Sequence, residues 1–164
     1  MKNLTFILAV LLFLPAIAQK KIDKTIAFSS GKTIFLNLKY ASDIKIKTWQ
    51  KNEIAISVSV NINNNTDNEE FILESTATAS EIQIKSDIPN LKKIAKEPIK
   101  GSTQKQLYDG DNYGYWDKEN KVYINTGKQI LADIDYEIFV PATADVRIKT
   151  IGGNVKMEGE TGKY

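Results

Sequence analysis

The stretch Tyr108-Asp109-Gly110-Asp111-Asn112-Tyr113-Gly114-Tyr115-Trp116-Asp117-Lys118-Glu119-Asn120 gathers the side chains of this chain best suited to chemistry. Asp109, Asp111, Gly114 and Asp117 stand at positions 1, 3, 6 and 9 of an EF-type calcium loop, where carboxylates and a glycine turn wrap oxygen ligands around a hard cation. Position 5 is Tyr113 and position 12 is Asn120 in place of the bidentate Glu, and no helical pattern flanks the loop. The calcium candidates are therefore Asp109, Asp111 and Asp117. Tyr108, Tyr113, Tyr115 and Trp116 lie in the same stretch, and aromatic rings stack on sugars or anchor a protein partner. Asp109, Asp111, Asp117 and Glu119 are also close enough in sequence for the acid/base pair of a glycosidase, although that chemistry needs a cleft and a raised pKa on one acid. The structural alternative is a solvated acidic loop whose aromatics fold back over an open sheet end.

Other chemistry is closed by composition. The 164 residues include no histidine and no cysteine. Without histidine there is no imidazole base near neutral pH, no imidazole ligand for zinc or copper, and no Ser-His arrangement. Without cysteine there are no disulfides and no lipid-attachment thiol. No motif asks for a cofactor. Twenty-two basic against twenty acidic residues give a net charge of +2, which supplies no electrostatic case for nucleic acid or an anionic membrane.

The elements that must carry this stretch are strands. Along Glu53–Ile62, apolar Ile54, Ile56, Val58, Val60 and Ile62 alternate with Glu53, Ser57, Ser59 and Asn61, so one face is buried and the other wet. Further strands are predicted at Thr25–Phe28, Thr33–Lys39, Asp43–Trp49, Glu70–Ser75, Glu81–Ser86, Lys121–Asn125, Ile134–Val140, Asp145–Thr150 and Asn154–Glu158. Turn formers separate them, notably Ser29-Ser30-Gly31 and the run Asn63 to Asn68. Spacings near ten residues without a crossover helix predict consecutive antiparallel pairing in a sandwich, roll or barrel. Residues 87–120 interrupt the pattern as a long loop holding Pro89, Pro98, Gly101, Gly110 and Gly114, with a faint helical look only at Leu91 to Ala95.

The first 18 residues read as a signal peptide: Lys2, an apolar run Leu4 to Leu14, then Ala16 and Ala18 at the small positions a peptidase requires. That run is shorter than the roughly 20 residues of a spanning helix, and no later stretch is apolar enough to span. The mature chain then runs from Gln19 as one all-β domain, 19–164, large enough to bury about two-thirds of its unfolded surface. Its expected location is the periplasm, the outer surface or the medium.

Asp43-Ile44-Lys45-Ile46-Lys47-Thr48-Trp49 aligns with Asp145-Val146-Arg147-Ile148-Lys149-Thr150-Ile151, which fits either a repeated unit or two similar half-buried strands. If these strands were neighbours, Lys45, Lys47, Arg147 and Lys149 would form a basic face. Near the C-terminus, Thr150-Ile151-Gly152-Gly153-Asn154-Val155-Lys156-Met157-Glu158-Gly159 writes strand, glycine corner, strand. Together with Gly31-Lys32-Thr33-Ile34-Phe35-Leu36-Asn37-Leu38 leading into Asp43-Ile44-Lys45-Ile46, this resembles the bacterial exported β-strand-repeat proteins related to the auto-transporter adhesin head domain. The resemblance covers most of the mature chain outside 87–120. It implies an antiparallel sandwich or roll grading into a β-solenoid-like strand repeat with glycine corners. It also implies a non-enzymatic, adhesin-like role in the envelope, with an envelope or surface protein or a glycan as partner. Members continue through more glycine-cornered strands than this chain holds by Tyr164, which implies a C-terminally shortened product. The family supplies no catalytic residues.

Overall fold

The computed structural model describes residues 19–96, 105–108, 114–117, 122–125 and 129–159. The predicted signal peptide, residues 1–18, and the last residues through Tyr164 lie outside them.

Two mixed sheets pack face to face over one apolar core, with no closed barrel among the described residues. The first sheet runs β1 (Lys20–Ala27), β4 (Glu53–Ile62), β10 (Gln129–Pro141), β3 (Asp43–Trp49), β12 (Asn154–Glu158), with β7 (Lys105–Tyr108) paired to the start of β10. The second runs β11 (Asp145–Thr150), β2 (Thr33–Leu38), β6 (Glu81–Asp87), β5 (Ile72–Ala77). A separate hairpin joins β8 (Gly114–Asp117) to β9 (Val122–Asn125). One helical turn, α1 (Leu91–Ile94), falls where the sequence looks faintly helical.

The alternation in β4 is realised residue by residue: Ile54, Ile56, Val58, Val60 and Ile62 are buried. They meet Ile44 and Ile46 of β3, Ile134, Tyr136, Ile138 and Val140 of β10, and from the opposite sheet Ile34, Leu36 and Leu38 of β2 with Ile82 and Ile84 of β6. A buried side chain of this size contributes roughly 1.5–3 kcal/mol, so the sheet faces alone account for a core without disulfides.

Pairing departs from the consecutive antiparallel scheme. β5–β6 and β8–β9 are consecutive antiparallel hairpins, but β2–β6, β11–β2, β10–β3 and β12–β3 are parallel. The cause is the chain's crossing between sheets. β2 lies in one sheet and β3 in the other, with Tyr40 at φ 62° in the turn between them, so sequence neighbours face each other across the core. Ladder partners then come from distant segments, where a long connection permits parallel pairing.

The echo between Asp43–Trp49 and Asp145–Thr150 is not a ladder. β3 and β11 sit in different sheets, so Lys45 and Lys47 stand on one outer face and Arg147 and Lys149 on the other, and no joint basic face forms. Instead β11 lies on β2 (Asp145 opposite Thr33, Thr150 opposite Leu38) and β12 lies on β3 (Asn154 opposite Asp43, Glu158 opposite Lys47). The corner joining the later pair rests on the corner joining the earlier one: Asn154 N donates to the Ser42 carbonyl at 3.1 Å. A Cβ on Gly153, at φ +86°, would fall on the Ala41 carbonyl oxygen. Glycine is required there by both its backbone angle and the closeness of the lower turn.

Candidate functional site

The wider stretch that holds the segment singled out from sequence is tied to the sandwich by the pairing of β7 with β10 and by a polar knot. Asn61 to Asn68 close the end of β4 with three successive residues in the left-handed region, Asn63 at φ 50°, Asn64 at φ 58° and Asn65 at φ 67°. Asparagine tolerates that conformation better than other non-glycine residues. Asn61 Oδ1 accepts from Asn65 N at 2.9 Å and Asn68 Oδ1 from Ile62 N at 2.7 Å, which holds the loop shut.

Asn63 is the hub. It is buried, and its Nδ2 donates to the Ile94 carbonyl at 2.9 Å and to Asp67 Oδ2 at 2.7 Å. Its Oδ1 accepts from Leu131 N at 3.0 Å, while its own N–H donates to the Leu131 carbonyl at 2.8 Å. Ile94 lies just before residues 97–128 and Leu131 just after them. One amide side chain therefore ties the departure and return of that segment to the same point. Lys96 adds a second tie, reaching Asp67 Oδ2 at 2.8 Å and Thr66 Oγ1 at 2.7 Å. Burial alone would push the Asp67 carboxyl up, but hydrogen bonds from Lys96, Asn63 and Thr66 outweigh it and hold the carboxyl below its ordinary range.

Of the residues predicted to bind, Tyr108 closes β7 opposite Gln129. Tyr115, Trp116 and Asp117 lie in β8, opposite Ile124, Tyr123 and Val122 of β9. Asp109, Asp111 and Tyr113 lie outside the described residues. Among the described residues no group of three or more carboxylates is placed to hold a metal ion.

The structure brings together an aromatic pair that sequence reasoning did not single out. On the outer face of the first sheet, Trp49 and Phe139 stack with ring centroids 5.1 Å apart. Lys47 Nζ lies 5.6 Å from the Phe139 ring centre and Lys51 Nζ 4.6 Å from that of Trp49. Lys47 also bridges to Glu137 Oε1 at 2.8 Å, and Trp49 Nε1 donates to the Glu53 carbonyl at 2.8 Å. The available signal was the position of Trp49 in the polar register of β3, on the wet side of a strand. Further along that face Asp133, Asp135 and Asp43 lie close together. Burial, then the charges of Asp133 and Asp43, push the Asp135 carboxyl up.

No family model matches the chain, and no curated protein does. A solved structure of a provisionally named cell adhesion protein from Clostridium sporogenes aligns at 8% identity with a TM-score of 0.45, over 80% of this chain and 46% of that one. The chain thus spans less than half the length of that neighbour. Among the described residues no helix is long and apolar enough to cross a membrane.

Proposed function

We propose that this protein is a non-enzymatic, exported component of the cell envelope that acts through its surfaces as an adhesin-like strand-repeat protein. The observation that carries the reading is the seating of β11 and β12 on β2 and β3 in parallel register, glycine corner over turn. That seating supports a strand-repeat scaffold, in which each added pair buries its neighbour's apolar edge. The sequence features of a signal peptide ending at Ala18 support export. The test is cell fractionation with N-terminal sequencing, followed by attachment assays of a deletion strain. A mature chain beginning at Gln19, found in the envelope or medium, with reduced attachment of the deletion strain, is the expected result. Retention in the cytoplasm with an intact Met1 sinks the proposal, as does turnover of chromogenic glycosides by the purified protein.

A second reading, a calcium- or glycan-binding module using residues 108–120, is favoured by one observation: Ile94 and Leu131, on either side of the wider stretch that holds those residues, are both bonded to Asn63. A site built on a loop needs such a rigid base. Calorimetry with calcium and with a glycan panel tests it on the parent, Trp116→Ala and Asp111→Ala. Binding by the parent that either substitution removes supports the module, and a parent that binds neither eliminates it.

A further inference from the structure

The first strand of the fold begins one residue after the predicted peptidase cut. The first rung of β1 sets Lys20 opposite Val60, and Gln19 stands just before that rung, exposed and outside any strand. The Gln19 side chain makes no hydrogen bond or ion pair with the described residues. The residues after it are anchored: Lys20 Nζ reaches Glu69 Oε2 at 2.7 Å, and Lys21 Nζ lies 3.6 Å from Asp23 Oδ2. Cleavage after Ala18 therefore creates an α-amino group on a residue whose backbone is held on one side only and whose carboxamide is uncommitted.

We propose that Gln19 is a modification site, closing to a pyroglutamyl residue once it becomes the N-terminus. The inference rests on the export reading above, because a Gln19 still joined to Ala18 has no amine to react. The neutral α-amino nitrogen attacks Cδ of its own side chain, and the new N–C bond closes a lactam. The bond from Cδ to the carboxamide nitrogen breaks, and that nitrogen leaves as ammonia with the proton the amine gives up. No oxidant, reductant or co-reactant is consumed. An α-amino group titrates near about 7.7–8.0, so a share of it is neutral and nucleophilic at ordinary pH. Nucleophile and electrophile belong to one residue, so the step is intramolecular.

Closure changes what the start of β1 presents. A free terminal ammonium would stand directly before Lys20 and Lys21, whose carboxylate partners Glu69 and Asp23 are already engaged. The lactam removes that charge, as other terminal modifications do. It also takes away the amine that an aminopeptidase must grip, at a chain end where proteolysis concentrates. The strand so protected is the one that runs antiparallel along β4 from Lys20 to Ala27.

Mass spectrometry of the protein freshly purified from its native cells tests this. The expected chain begins at Gln19, is lighter than the unmodified sequence by one ammonia, and has an N-terminus that amine-reactive reagents leave unlabelled. A pyroglutamyl aminopeptidase should then expose Lys20 as the new terminus. Gln19→Asn, whose ring would be too strained to close, should keep its ammonia and lose residue 19 to a general aminopeptidase that leaves the parent intact. A chain that begins at Gln19 and retains its ammonia overturns the proposal and leaves the export reading standing. So does a chain cut at another position, or closure that develops only on storage. A chain still carrying Met1 overturns both.

Discussion

Tyr136 Oη donates a 2.8 Å hydrogen bond to Ser86 Oγ across the core, joining β10 of one sheet to β6 of the other. Ser86 in turn donates to the Lys39 carbonyl at 3.5 Å, at the end of β2. Burial pushes the tyrosine hydroxyl well above its ordinary range, and the bond to Ser86 offsets only part of that, so Tyr136 remains a donor at any physiological pH. The two partners should not be equivalent. Tyr136→Phe leaves Ser86 with its carbonyl acceptor and should cost about 1 kcal/mol, whereas Ser86→Ala strands a buried phenol hydroxyl and should cost about 2 kcal/mol. Urea denaturation of both variants measures the difference, and the double variant should cost less than the sum.

The hub at Asn63 predicts a larger effect. Asn63→Ala leaves the Leu131 N–H and the Ile94 carbonyl without their partner and puts a β-carbon-only side chain at φ 50°. With a penalty of about 1–3 kcal/mol per orphaned buried group, stability should fall by at least about 2 kcal/mol. Hydrogen exchange at the Leu131 amide should accelerate in the variant well beyond what global destabilisation accounts for. Uniform acceleration across β4 and β10 would refute the local role.

Acid should act through Asp67. Because the folded protein holds this carboxyl below its ordinary value, its contribution is present above the ordinary aspartate pKa near 4 and is lost as pH falls through that value toward the lowered one. Asp67→Asn keeps the shape but not the charge. It should therefore be less stable than the parent at pH 7, with the gap shrinking below about pH 4. Urea midpoints at pH 7, 4 and 3 provide the check.

Glycine substitutions separate two causes of strain. Gly31 sits at φ +89° with open space where a Cβ would be, while Gly153 sits at φ +86° with the Ala41 carbonyl there. Gly31→Ala should cost about 1 kcal/mol from its backbone angle alone. Gly153→Ala should cost clearly more and also loosen β12, since the upper corner must lift off the lower turn. Thermal midpoints of the two variants, compared side by side, measure the added term.

Much of this architecture is written plainly in the residues. β4 could be placed to the residue because its apolar positions fall every second residue with no exception. β1 was only partly legible, from Thr25 onward, because its inward positions include Lys20 and Lys24, an edge device that erases the apolar alternation. Strand direction was not legible at all: alternation marks which side chains are buried and is the same whether the neighbour runs parallel or antiparallel. The polar knot was visible as a turn but not as a hub, since its partners Ile94 and Leu131 lie 31 and 68 residues away from Asn63. The Gly152-Gly153 corner was legible as a turn, while the turn it rests on could be found only in three dimensions.

The ladder between β2 and β11 sets a limit on how the chain can fold. Thr33 Oγ1 donates to Asp145 Oδ2 across 112 residues of sequence, and every rung of that ladder closes a loop of similar length. Such closures carry a large entropic cost before any contact repays it, so they come late and slowly. β2 and β3 must wait, one edge of each unsatisfied, until the C-terminal strands are available. The N-terminal half of such a chain stays incompletely paired for as long as its second half is still being made.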